Sequence, residues 1–163
     1  MRPALRHALA VLGTCLVGCH GGARYQGTVV RAPDGEAPGH AFGAQNDAPA
    51  RPPVPGASVA LCQCLEENPC TCTGAPEDTE RVLATRRVTT DAAGKFEVSL
   101  YTAVPLSGTL VYVVAVDANG YERYTYRRRA AGPAEETEPS GGRLPLTIRL
   151  RPVAVPVAST PSK

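Results

Sequence analysis

Histidine and lysine are scarce in this chain: its 163 residues include three His, and Lys occurs only at positions 95 and 163. A catalytic zinc takes three protein ligands, usually His or Glu among them. The histidines left for that task are His20, close to the N-terminal apolar stretch, and His40, in a Pro- and Gly-rich segment read as a solvated loop. A Lys–Asn isopeptide crosslink has no suitable lysine, since Lys95 sits at a turn and Lys163 at the tail. The only long apolar run covers residues 8–18 and is too short to span a bilayer. No stretch sustains apolar spacing at three and four residues, so helices must be few and short. Nucleophile-elbow and phosphate-loop motifs are missing. Asp117-Ala118-Asn119-Gly120 lacks the further acids of a calcium loop and reads as a turn.

What the chain does have is punctuation and alternation. Gly and Pro number 16 each, which implies many loops. Apolar residues recurring every second position predict strands over 25–32, 57–64, 82–90, 96–100, 110–117, 121–128 and 144–150. The Val-rich run 110–117 should be the most buried. Residues 33–52 read as a long loop, 130–142 as a polar loop, and 154–163 as a flexible tail. About seven strands with turns between them predict an all-β sandwich. Val59, Phe96, Val98, Val114 and Val116 should face its core. Arg127-Arg128-Arg129 reads as a solvated strand edge.

Ahead of the strands, Arg2 and Arg6 precede the apolar run, which ends Leu16-Val17-Gly18-Cys19. These are the parts of a secretory signal, and the last four residues resemble the lipobox of bacterial lipoproteins. The resemblance implies cleavage after residue 18, a diacylglycerol on Cys19, and residues 19–23 as a lipidated tether. It implies a membrane partner and a cell-envelope address. Because His20 is not the Asp that retains many such proteins at the inner membrane, an outer membrane or cell surface is favoured. Loss of Arg2 and Arg6 would leave 15 basic against 15 acidic residues, from 17 and 15 in the whole chain, so no nucleic-acid partner is implied.

The strand region resembles the carboxypeptidase regulatory-like domain, a transthyretin-like Greek-key sandwich. The matching residues are Gly27-Thr28-Val29, Pro53-Val54-Pro55-Gly56-Ala57-Ser58-Val59, Thr89-Thr90-Asp91-Ala92-Ala93-Gly94-Lys95-Phe96, and Tyr112-Val113-Val114-Ala115-Val116 with Gly120-Tyr121. They place the domain over 24–153, with inserts at 33–52 and 62–81. The resemblance implies structural roles: Gly56, Gly94 and Gly120 serve turns, and Tyr121 packs at the sandwich end. It implies no enzyme and no cofactor, because the catalytic zinc of carboxypeptidases belongs to a separate domain.

Cys62-Gln63-Cys64 and Cys70-Thr71-Cys72 are the one chemically distinctive constellation. Residues two apart on a strand share a face. A hairpin turning at 66–68 would set Cys64 opposite Cys70 and Cys62 opposite Cys72. Of three possible connectivities, this nested one avoids both tiny rings and diagonal reach. With Val59 and Leu61 inward, the cysteines face outward and would staple a protruding arm. A single closure stabilises by about 2–3 kcal/mol in the chain-entropy account, and the second adds less because the first already restricts the same segment. The alternative is Zn²⁺ or Cu⁺ held by Cys62, Cys64, Cys70 and Cys72. An oxidising compartment favours disulfides. The chain is therefore expected to be a lipid-anchored, non-enzymatic sandwich with a structural or protein/glycan interaction role. Tyr101, Tyr124 and Tyr126 are the aromatic candidates for sugar stacking.

Overall fold

The period-two patterns become two four-stranded sheets packed face to face. A computed structural model describes residues 20–43, 51–103, 108–130 and 145–154. The signal, Cys19, most of the 130–142 loop and the tail beyond Ala154 lie outside the described residues. The strands are β1 (His20–Arg31), β2 (Gly39–Phe42), β3 (Ser58–Leu65), β4 (Ala84–Thr89), β5 (Lys95–Ala103), β6 (Leu110–Asp117), β7 (Tyr124–Arg129) and β8 (Leu146–Leu150). One four-residue helix, α1 (Pro76–Thr79), precedes β4.

The first sheet has the order β2-β8-β1-β5 and the second β4-β3-β6-β7. Every pairing is antiparallel except β1 with β8, which run parallel from Gly27↔Leu146 to Arg31↔Leu150. Gly27 sits where β8 joins β1, and a Cβ there would fall on the Leu146 carbonyl. The β4–β5 turn needs Gly94 at φ 72°, with Asp91 accepting hydrogen bonds from the Ala93 and Lys95 amides at 2.9 and 2.8 Å.

The sandwich core takes one face of each sheet. Val29, Val59, Leu61, Val98, Val114, Val116, Leu146, Ile148 and Leu150 are buried there, with Phe96 and Tyr25. All five expected core residues are among them. Each fully buried aliphatic side chain contributes about 1.5–3 kcal/mol. β6 is buried on both faces from Leu110 to Val116, as its unbroken apolar run implied.

Several expectations change. The 33–52 stretch is not all loop: residues 39–42 form β2 against β8, which raises the strand count to eight. Residues 20–23, expected as tether, belong to β1, because β5 extends to Ala103 and pairs with them, Ala23↔Leu100 through His20↔Ala103. Cys70 and Cys72 lie on irregular backbone, not on a return strand. Only a single bridge, Leu65↔Asn68, marks the turn where a hairpin is expected. Of the Arg triplet, Arg127 and Arg129 are exposed, while Arg128 is half-buried and hydrogen-bonds Tyr25.

Gln63 is the one polar residue of β3 on the inner face, in register with Tyr112 and Ala84. It is fully buried, and neither its Oε1 nor its Nε2 has a hydrogen-bond partner among the described residues. A buried amide left unpaired costs about 1–3 kcal/mol. Gln63→Met, close in shape, should therefore raise stability by about 1 kcal/mol or more in urea unfolding. A clear loss of stability would mean that the amide has a partner the protein atoms do not supply.

Candidate functional site: the cysteine arm and the sandwich edge

The segment 66–83 leaves β3, crosses the outer face of the second sheet and returns to β4. It covers the face that alternation leaves outward on β3 and β6. Ala60, Cys62 and Cys64 of β3, Val111, Val113 and Ala115 of β6, and Cys70 and Cys72 of the arm form a second buried cluster, with Val82 packed against it. The cysteines thus do not staple a protruding arm. They fill a small core beneath an arm that lies flat, because β6 is apolar on its outer face as well and must be covered.

Cys62 and Cys72 are joined by a disulfide with their Cα atoms 5.8 Å apart. The other expected pair, Cys64 and Cys70, is unbridged, and both thiols are buried. The Cys70 amide donates to the Cys64 sulfur at 3.3 Å. The four cysteines are therefore brought together as the nested order required, by a coiled arm and not by a hairpin. With Cys62 and Cys72 bonded to each other, a four-thiolate metal site is not assembled, and no group of three or more His, Cys, Asp or Glu suited to a metal occurs among the described residues.

Asp78, which nothing in the cysteine spacing flags, fastens the arm. It lies in α1, is 4% exposed, and accepts the Thr71 amide on Oδ1 and the Thr73 amide on Oδ2, each at 2.6 Å. The Thr73 hydroxyl adds a third bond at 3.2 Å. Burial works against ionisation, but hydrogen bonds from Thr71, Thr73 and Gly74 outweigh it and hold the carboxyl below its usual range. Arg123 reaches over from the β6–β7 connection and donates to the Cys72 carbonyl at 2.9 Å and the Thr71 carbonyl at 3.2 Å. Between these contacts Cys72 is held at φ 61°, the only non-glycine positive φ among the described residues. A conformation of that kind costs about 1–3 kcal/mol and persists only where its surroundings over-determine it.

The second cluster joins the two sheets along one side. β2 and β7 are sheet edges, and His40 on β2 shares a hydrogen bond with the Tyr124 hydroxyl of β7. Its ring lies 4.1 Å from that of Tyr126 and 5.6 Å from that of Phe42. His40, expected as a solvated loop residue, is thus a half-buried inter-sheet contact. Tyr124 and Tyr126 pack against the core, whereas Tyr101 is 68% exposed. Burial, and then the Arg149 charge, push the His40 pKa below 6.5. Arg149 is itself paired with Glu36 at 2.9 Å.

Comparison with protein-family models, curated proteins and solved structures finds no match to this chain. The alternation of β3 held one legible hint of the inner site: Gln63 falls on the same face as Val59 and Leu61. Asp78 had no such signal, since its partners are backbone amides whose positions depend on the folded arm.

Two outcomes follow from these fastenings. Asp78→Asn keeps one acceptor oxygen where two amides donate, and should destabilise by about 2–3 kcal/mol in urea unfolding with the earliest amide exchange over 70–82; equal stability to wild type would remove Asp78 from the account. Because the folded His40 pKa is lowered, its neutral form carries the contact. That contribution is complete above about pH 6.5 and is lost as pH falls through the lowered value. The urea midpoint should drop between about pH 7.5 and 5, and drop less in His40→Phe. Parallel pH profiles for the two chains would show that His40 does not carry the effect.

Proposed function

We propose that this chain is a lipid-anchored, non-enzymatic sandwich of the cell envelope, with a structural or protein/glycan interaction role. The observation that carries the reading is the junction of the lipobox-like Leu16-Val17-Gly18-Cys19 with β1, which begins at His20. An acyl group on Cys19 would be joined directly to a strand that runs through the first sheet, so membrane and domain would be coupled without a long linker. Processing of this kind leaves more than one acyl chain, enough for stable anchoring.

The chemistry of the described side chains supports a binding or structural module. Asp78 and Asp91 are occupied by backbone amides, His40 by Tyr124, and Cys62 by Cys72. The positive φ of Gly56, Gly94 and Gly120 fits the turn roles implied by the regulatory-like resemblance. Contacts with a partner would fall to the loops and the arm, since loops on a rigid scaffold commonly carry recognition. Metal handling, the other reading, would need four thiols, and two of them are spent in the bridge.

The test is fractionation of cells making the wild-type chain or Cys19→Ala, with intact mass of the recovered protein. Wild type should enter the membrane fraction, lack residues 1–18 and carry fatty acyl mass. Cys19→Ala should lose the acyl mass and leave the membrane. An unacylated wild-type chain in the soluble fraction would sink the reading.

A further inference from the structure

Cys64 and Cys70 are a pair of nucleophilic groups that the fold brings into contact and that nothing described so far employs. They sit one strand repeat inward from a pair already bonded. Cys62 and Cys64 share the outer face of β3, and the Cys62–Cys72 bridge fixes the arm two residues beyond Cys70. The Cys70 amide donates to the Cys64 sulfur, and the two thiols are themselves hydrogen-bond partners. We propose that Cys64 and Cys70 are the site of a second disulfide, one that closes while the arm is open and is sealed when the arm docks.

The surroundings favour a bridge over a Cu⁺ site. The pair lies among Ala60, Val111, Val113, Ala115 and Val82, which offer no polar atom beyond the backbone. Two thiolates holding Cu⁺ would leave a net negative charge in that apolar space, with the Asp78 carboxylate acting on Cys70 from the same arm. Burying such a charge is costly. A disulfide is neutral and apolar, and suits the space without a counter-ion.

The same burial decides when the bridge can form. Cys64 is 0% and Cys70 5% exposed. Burial first, then the Cys64 hydrogen bond and the neighbouring negative charges, push the Cys70 thiol up to about 12. Thiolate is the attacking species, so a Cys70 whose proton is held by burial is a poor nucleophile at neutral pH. With the arm docked, an oxidant has neither access nor a nucleophile to meet. With the arm open, both thiols return to water, and the burial that holds the Cys70 proton is gone. One thiol then loses its proton and attacks a low-mass disulfide R–S–S–R, expelling RS⁻, which takes up a proton. The second thiol loses its proton and attacks the mixed disulfide, expelling the second RS⁻. Two protein thiols are oxidised, one R–S–S–R is reduced to two RSH, and one S–S bond forms.

The experiment uses the purified full chain, reduced in urea and refolded without oxidant so that Cys64 and Cys70 enter the native-buffer arm as thiols, with oxidised glutathione as the probe, alkylation to trap thiols, and non-reducing peptide mass mapping. In native buffer Cys64 and Cys70 should alkylate about a hundredfold or more slower than in urea, and oxidised glutathione should leave them reduced. Refolding from urea with oxidised glutathione should give a linked Cys64–Cys70 peptide, short of two hydrogens, beside the Cys62–Cys72 peptide, with the native β-sheet spectrum retained. Native alkylation as fast as in urea would overturn the sealing. Refolded chains that carry glutathione on Cys64 or Cys70, or that pair them with Cys62 or Cys72, would overturn the bridge. So would a chain isolated with one Zn²⁺ or Cu⁺ held by these two thiols.

Discussion

The structure depends on keeping β3 and β6 dry on both faces. One face of each meets the opposite sheet, as in any sandwich. The other carries Ala60, Cys62 and Cys64 on β3 and Val111, Val113 and Ala115 on β6, a strip of small apolar side chains without a second sheet to cover it. A strip of this size exposed to water would weaken the two central strands. The arm supplies the missing layer, and its fastenings make sense in that light. The Cys62–Cys72 bridge holds it from below, Asp78 gathers its backbone from within, and Arg123 caps two of its carbonyls from the neighbouring connection. A segment with so few apolar residues could not hold this position by burial alone.

The sides of the sandwich are closed by different means. Along one side the edge strands β4 and β5 are joined by a tight turn, built on Asp91 and Gly94. Along the other, β2 and β7 are distant in sequence and meet through His40, Phe42, Tyr124 and Tyr126. The first closure is local, made by backbone amides and one carboxylate within five residues. The second relies on an imidazole that must stay neutral beside Arg149. The fold therefore has one side set by backbone geometry and one set by side-chain chemistry.

Alternation made the strands and the core legible. Val59, Phe96, Val98, Val114 and Val116 face inward because successive side chains on a strand take opposite faces, a rule that needs no knowledge of the partner. The same rule put the cysteines on the outer face correctly but could not say whether that face was wet. It also missed β2: Gly39-His40-Ala41-Phe42 is too short and too weakly patterned to show as a strand, and exists because β8 offers an edge to pair with. Likewise His20 to Ala23 joins β1 through the reach of β5 and not through any apolar rhythm of its own.

By itself the sequence determined the all-β class, the inward residues of β3, β5 and β6, the turn glycines and the shared outer face of Cys62 and Cys64, because each rests on period two or on local backbone freedom. Tertiary structure alone decided that the arm lies flat, that its cysteines are buried, that Asp78 is a fastening and that His40 joins two sheets. Those features depend on which faces and edges come together across long sequence separations. Spacing within one segment carries no information about what will cover it.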